Sequence, residues 1–155
     1  MKRSILLLFV MLASLVALAD NAKLYRGNNT YTSNILYTWD GKHVYRGNST
    51  YTSDILYTWD GRHIYSGRTT YTSDILYTWD GRYIYQGNCT YSSKSLYTWD
   101  GEKVYQGRNT YTSNIVVTVK NQHVYDGRNT YTSDIIATYS GAIPIPVLLI
   151  MIGQL

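Results

Sequence analysis

The sequence predicts an all-β fold of tandem 20-residue β-hairpin repeats, and three observations carry that reading. A pattern recurs every 20 residues without insertion or deletion, in copies starting at Tyr25, Tyr45, Tyr65, Tyr85, Tyr105 and Tyr125. Each copy is rich in Tyr, Thr, Ile and Val, which suit a pleated, half-buried strand. Asp-Gly, a hairpin-turn dipeptide, recurs at Asp40-Gly41, Asp60-Gly61, Asp80-Gly81 and Asp100-Gly101, each time after Tyr-Thr-Trp. Such regularity marks an architecture in which each unit is one supersecondary element.

The chain begins with a secretory signal pattern. Lys2 and Arg3 precede an apolar run from Ile5 to Val16, and Ala17-Leu18-Ala19 has the small-x-small form of a cleavage site. Residues 1–19 are therefore expected to be removed. The run falls short of the roughly 20 apolar residues of a membrane-spanning helix, so no spanning segment is expected after processing. Removal of Lys2 and Arg3 takes the formal charge from +4 to +2. That balance argues against nucleic-acid binding, which needs a dense basic face. A single cysteine, Cys89, excludes an intramolecular disulfide framework.

Residues 20–142 form the repeat domain. In the second copy, Tyr51, Ser53, Ile55, Tyr57 and Trp59 share one face of an extended chain. Thr50, Thr52, Asp54, Leu56 and Thr58 share the other. Asp60-Gly61 supplies a two-residue type I′ turn, and the chain returns through Arg62-His63-Ile64-Tyr65 to Gly67. Lys120-Asn121 and Ser140-Gly141 replace Asp-Gly in the last two copies. Asn tolerates positive φ, so the fifth hairpin is expected to survive. The apolar segment 143–155 opens with Ile143-Pro144-Ile145-Pro146. It reads as a closing strand or short helix that caps the array, since repeat arrays need capped ends.

Two arrangements compete. A parallel β-solenoid stacks equivalent residues at about 4.8 Å, which sets Asp40, Asp60, Asp80 and Asp100 against one another. Hairpins, arranged radially or along a line, separate equivalent positions by two strands and answer the Asp-Gly signal. Hairpins are preferred. The units Tyr-Thr-Trp-Asp-Gly-Lys-His-Val-Tyr (37–45) and Tyr-Thr-Trp-Asp-Gly-Arg-His-Ile-Tyr (57–65) resemble the short aromatic-Asp-Gly repeats of bacterial four-fold β-flower proteins. The resemblance covers most of residues 25–140 and implies radially arranged hairpins. Four copies keep Trp-Asp-Gly, whereas the wider repeat has six copies. The resemblance implies no particular activity. Choline-binding repeats offer a looser analogy of architecture, without their Gly-Trp start.

No catalytic residue is assigned. Ser and Thr recur at equivalent places in every copy, whereas a catalytic serine needs its own base and oxyanion hole. Asp54, Asp74 and Asp134 share a position with Asn34, Asn114 and Lys94, a pattern for a solvated face. His43, His63 and His123 share a position with Tyr83 and Lys103, so no metal ladder and no metal cofactor is expected. The ligand-binding candidates are aromatic: Trp39, Trp59, Trp79 and Trp99, with Tyr45 and Tyr65. These rings suit either a β core or a platform for sugars. The sequence thus predicts an exported, non-enzymatic structural or adhesive protein, secreted or held in the cell envelope. The alternatives are a carbohydrate- or cell-wall-binding module, and an enzyme with a site between copies near Lys94 or Lys120. The expected partner is a cell-surface glycan or envelope component, with self-association through edge strands.

Overall fold

The computed structural model describes residues 20–155; the segment read as a secretory signal lies outside the described residues. Twelve strands form one closed antiparallel barrel. They are β1 (Ala22–Arg26), β2 (Ile35–Trp39), β3 (His43–Arg46), β4 (Ile55–Trp59), β5 (His63–Ser66) and β6 (Ile75–Trp79), then β7 (Tyr83–Gln86), β8 (Ser95–Trp99), β9 (Lys103–Gln106), β10 (Ile115–Lys120), β11 (His123–Asp126) and β12 (Ile135–Ser140). Every strand pairs with its chain neighbours, and β1 closes the ring on β12 through Lys23↔Ser140, Leu24↔Tyr139, Tyr25↔Thr138 and Arg26↔Ala137. The hairpin reading is therefore the observed one, in radial form, and the solenoid is set aside.

The closure explains why the last copy looks truncated. Five hairpins are continuous in the chain, and the sixth is assembled from β12 and β1, the two ends of the repeat domain. Ser140 occupies the position of Asp40, and Lys23 that of His43. The Oγ of Ser140 accepts the Lys23 N–H at 3.1 Å, as the Asp40 carboxylate accepts the His43 N–H at 2.6 Å. A second bond repeats around the whole ring. The Thr58 hydroxyl donates to the Gly67 carbonyl at 2.7 Å, and Thr138 donates to Gly27 across the closure at the same distance. These threonines are buried, where an unpaired carbonyl costs about 1–3 kcal/mol. Closure also pairs the two terminal strands with each other, which removes the edges on which self-association was expected.

Alternation along the strands holds only in part. Val44 pairs with Tyr57 and Tyr45 with Ile55, so Leu56 is a bulged residue. The same bulge falls at the equivalent Leu36, Leu76, Leu96, Val116 and Ile136. Bulges bend strands and raise their twist, as a closed wall requires. Tyr57 and Trp59 consequently face the lumen, whereas Tyr51 and Ser53 are not on the strand at all. They belong to a loop with a 3-10 turn, Thr52–Asp54.

The turns also differ from expectation. The two loop residues are Gly41 and Lys42, with Asp40 pairing with His43 (N–H to carbonyl, 3.3 Å). Gly41 has φ +98° while Lys42 does not take a positive φ, the pattern of a type II′ turn. The fifth hairpin survives by switching type: Asn121 (φ 52°) and Gln122 (φ 62°) both take positive φ, as type I′ requires.

The C-terminal segment does not lie across an end. Helix α1 (Ile145–Met151) has Pro146, Val147, Leu148, Leu149, Ile150 and Met151 all buried. They pack with Leu24, Val44, Ile64, Ile84, Val104 and Val124, one lumen residue from each repeat. A helix apolar all round is a buried helix. About eight strands make a barrel whose lumen side chains fill it; twelve leave a space that α1 occupies. Pro144 precedes the helix and Pro146 sits in its first turn, where a missing N–H costs nothing. Gly153 (φ +78°) ends it: its N–H reaches the Ile150 carbonyl at 3.2 Å, and the Gln154 N–H reaches Leu149 at 2.9 Å, a Schellman stop.

Three lumen positions give α1 its room. Tyr37, Tyr57, Tyr77 and Tyr97 are followed at the equivalent places by Val117 and Ala137, and the four tryptophans by Val119. All three small residues are buried in the cluster that contains α1. The irregularity of the last copies is thus the imprint of the helix.

Candidate functional site

The barrel has two unlike ends. One carries the hairpin turns; the other carries the six long loops that join β1 to β2, β3 to β4 and so on.

At the turn end, each Asp of Trp-Asp-Gly organises its own hairpin. Asp40 Oδ1 accepts the N–H groups of Lys42 (2.8 Å) and His43 (2.6 Å), while Oδ2 accepts the Tyr45 hydroxyl at 2.7 Å and contacts His43 Nδ1 at 3.2 Å. Asp60 repeats the set with Arg62, His63 and Tyr65. Burial works to raise the Asp40 carboxyl, but the bonds from the His43 N–H, the Tyr45 hydroxyl and the Lys42 N–H outweigh it and leave it below its ordinary value. Asp60, Asp80 and Asp100 are lowered in the same way against their burial. Tyr45 is pushed up to about 12 by burial and by its bond to Asp40. Tyr65 reaches about 12 chiefly through its bond to Asp60.

The sign of the pH dependence follows. A carboxylate lowered in the folded state stabilises the fold above its unfolded pKa, about 4, and the contribution disappears as pH falls through the folded value. A tyrosine raised to about 12 stabilises the fold below about pH 10, and that is lost as pH rises toward 12. Urea midpoints followed by circular dichroism are expected to hold between these limits and to fall on both sides. Asp60→Asn should blunt the acid limb; an acid limb unchanged by that substitution counts against the network.

The aromatic candidates divide. Trp39 is buried in the lumen, and Trp59, Trp79 and Trp99 are half-buried there. Each of the last two lines a shallow cleft between neighbouring hairpins: Trp79 with Gly61, Arg62 and Asp80, Trp99 with Gly81, Arg82 and Asp100. Trp39 and Trp59 border a third, beside Ile143 and Pro144 where the chain enters the lumen. Tyr45 and Tyr65 are buried on the outer side of the wall. The long loops fold back over that side. Arg108, from the loop after β9, places its guanidinium 4.0 Å from the Tyr83 ring and bonds the Tyr85 hydroxyl at 3.2 Å. The histidines are bound into the Asp turns or, for His123, placed 3.0 Å from the Thr138 hydroxyl. Among the described residues no group of three or more His, Cys, Asp or Glu is arranged to hold a metal ion. Lys94 and Lys120 stand at opposite ends of the barrel, so no one site joins them.

The residues that the sequence reading missed are at the loop end. Tyr31, Tyr51, Tyr71, Tyr91, Tyr111 and Tyr131 are 68–76% exposed, one on every loop. Each is the last residue before a 3-10 turn, in extended backbone, and the turn is closed by a bond such as Asp54 N–H to the Tyr51 carbonyl at 2.9 Å. In three of the loops, those of Tyr31, Tyr51 and Tyr111, a side chain two residues earlier holds the tyrosine backbone. Asn29 Oδ1 accepts the Tyr31 N–H at 3.2 Å, and Ser49 Oγ accepts that of Tyr51 at 3.1 Å. The side chain at that position meets the residue at the end of the turn in matched pairs: Asn29 with Asn34, Asn109 with Asn114, Ser49 with Asp54, Thr69 with Asp74. A hydroxyl donor goes with a carboxylate and an amide with an amide. Asp54 and Asp74 are therefore loop-bracing groups, which explains why Asn serves as well. The signal in the sequence was the Gly-x-x-Thr-Tyr-Thr-Ser segment itself, whose polar residues fit a loop as well as a strand face.

The comparisons agree with this geometry. A model of a family described as 6-fold beta flower protein matches residues 24–148. Neither the comparison with curated proteins nor that with solved structures found a match. The flower expected from the Asp-Gly units is correct in kind, but its order is six rather than four. The four intact Trp-Asp-Gly copies undercount the hairpins, because Lys120 and Ser140 take the Asp position in the other two. By fold and by family match, this chain belongs to the 6-fold beta flower proteins.

Proposed function

We propose that this is an exported, non-enzymatic adhesive protein of the cell envelope or exterior, and that its loop-end tyrosines are the adhesive surface. The observation that carries the reading is the set of six tyrosines, 68–76% exposed, each at the start of a 3-10 turn on an equivalent loop. Tyrosine supplies rigid, amphipathic contact area at little cost in conformational entropy. Exposing one on every repeat has no packing reason, since these rings add nothing to the core. The Asn, Ser and Thr hydrogen-bonding groups beside them suit a hydroxyl-rich polymer such as a surface glycan. Six weak contacts on one rigid ring give avidity without a deep pocket. The signal pattern of residues 1–19 supports export.

Retention of the mature protein on insoluble peptidoglycan and common polysaccharides tests this. Tyr→Ala at all six positions is expected to lower retention by at least about 100-fold, the scale of lost avidity, with thermal stability unchanged. Equal retention of that variant sinks the proposal. A second reading places the glycan in the clefts beside Trp79 and Trp99, where indole, Asp and Arg meet. A shift in tryptophan fluorescence on binding that survives the tyrosine substitutions favours this second reading.

A further inference from the structure

We infer that the loop-end mouth of the lumen is a binding site for a single aliphatic chain with an anionic head. Helix α1 does not fill the barrel evenly. Beside its C-terminal end is an open cleft of about 520 Å³, within the roughly 300–1,000 Å³ range of small-molecule sites. Its walls are Leu36, Leu56, Ile136, Ala137, Met151 and Ile152. The cleft exists because Ala137 stands where four other repeats carry a tyrosine. That leaves more space than α1 takes up.

Two observations point to an amphiphile. Among the described residues, Ile136 is the one exposed large hydrophobic that is not a tyrosine, at 38%. It lies in this wall, where an apolar chain would cover it. At the edge stands Arg46, whose guanidinium takes part in none of the ion pairs among the described residues. Arg26 occupies the equivalent place on β1, between the two strands that carry Ile136 and Leu36. The remaining places of that rim carry Ser66, Gln86, Gln106 and Asp126, so both cations of the rim lie on the side of the apolar cleft. A planar guanidinium above an apolar trough fits a carboxylate or phosphate head on an aliphatic tail. The tail would lie against Leu36, Leu56 and Ile136, and the head would meet Arg46.

The test is a titration of the mature protein with a dansyl-labelled medium-chain fatty acid, displaced by dodecanoate or by dodecanol. Vesicles of anionic phospholipid, assayed by flotation, form a second arm. Saturable binding of one probe per chain is expected. Arg46→Glu should weaken dodecanoate by about tenfold, the factor carried by 1.4 kcal/mol, and leave dodecanol unchanged. Ile136→Asp should weaken both. Both residues are solvent-accessible, and circular dichroism confirms that the variants fold. Flotation that depends on Ile136 identifies a bilayer lipid as the source of the chain; displacement by dodecanoate without flotation identifies a free acid. The inference is overturned if neither arm shows saturable binding, or if binding ignores both substitutions.

Discussion

Leu149→Ala is expected to lower stability by about 2–5 kcal/mol, and Leu149→Asp to abolish the native barrel. Leu149 is completely buried at the centre of α1. Truncation leaves a void where the strand wall, held by its hydrogen-bond ladder, has little freedom to collapse. The aspartate is worse. The buried side chains of the described residues are apolar, aromatic or threonine, so nothing there would pair with a carboxylate, and burying an unpaired charge is prohibitive. Ile152, half-buried at the mouth, supplies the control: Ile152→Ala should cost clearly less. Urea titrations followed by far-ultraviolet circular dichroism separate the cases. A Leu149→Ala protein with an unchanged midpoint would mean that α1 is not the plug of the ring.

Removing β1 is expected to turn a closed ring into an associating one. A chain beginning at Asn28 loses Ala22 and Leu24 from the core and exposes β2 and β12 as unpaired edges. Unpaired edges recruit other strands, so size-exclusion chromatography should show oligomers or aggregates. A peptide of residues 20–27 added in trans should restore the monomer, because it supplies the missing strand by β-addition. It would also return the Lys23 N–H to Ser140 and the Gly27 carbonyl to Thr138. A truncated chain that stays monomeric and as stable as the parent would show that the ends do not close the ring.

Much of this fold was legible in the residues. Tyr-Thr-Trp-Asp-Gly fixed the antiparallel hairpin, because the Asp carboxylate and the following Gly answer the turn locally. The tolerance of Asn121 for positive φ was enough to keep the fifth hairpin. Ring order was harder to read. Asn21-Ala22-Lys23-Leu24-Tyr25 carries the second half of a repeat without its first half, and only pairing over more than 100 residues shows that Ser140 completes it. The apolar tail was read as a cap because an open array needs one; a closed ring has no edge to cap. The clue to its true place was the loss of large rings at Val117, Val119 and Ala137, visible in the sequence but meaningless until those positions face a lumen. Tyr51 went astray because Thr-Tyr-Thr-Ser has strand-like composition, while side-chain bonds from Ser49 and the 3-10 turn impose a loop. Without that, the six exposed tyrosines could not be told from the buried Tyr45 and Tyr65.

The central claim is that one chain closes a six-hairpin ring with its own two ends, and a cross-link tests it most directly. Lys23 and Ser140 are register partners on β1 and β12. Directly opposed residues have Cα atoms about 4.5–5.5 Å apart, within disulfide range. In a Cys89→Ser background, Lys23→Cys with Ser140→Cys should oxidise within the monomer, and mass spectrometry of a digest should find the peptides containing positions 23 and 140 joined. Free thiols after oxidation, or disulfides found only between chains, would contradict the closed ring.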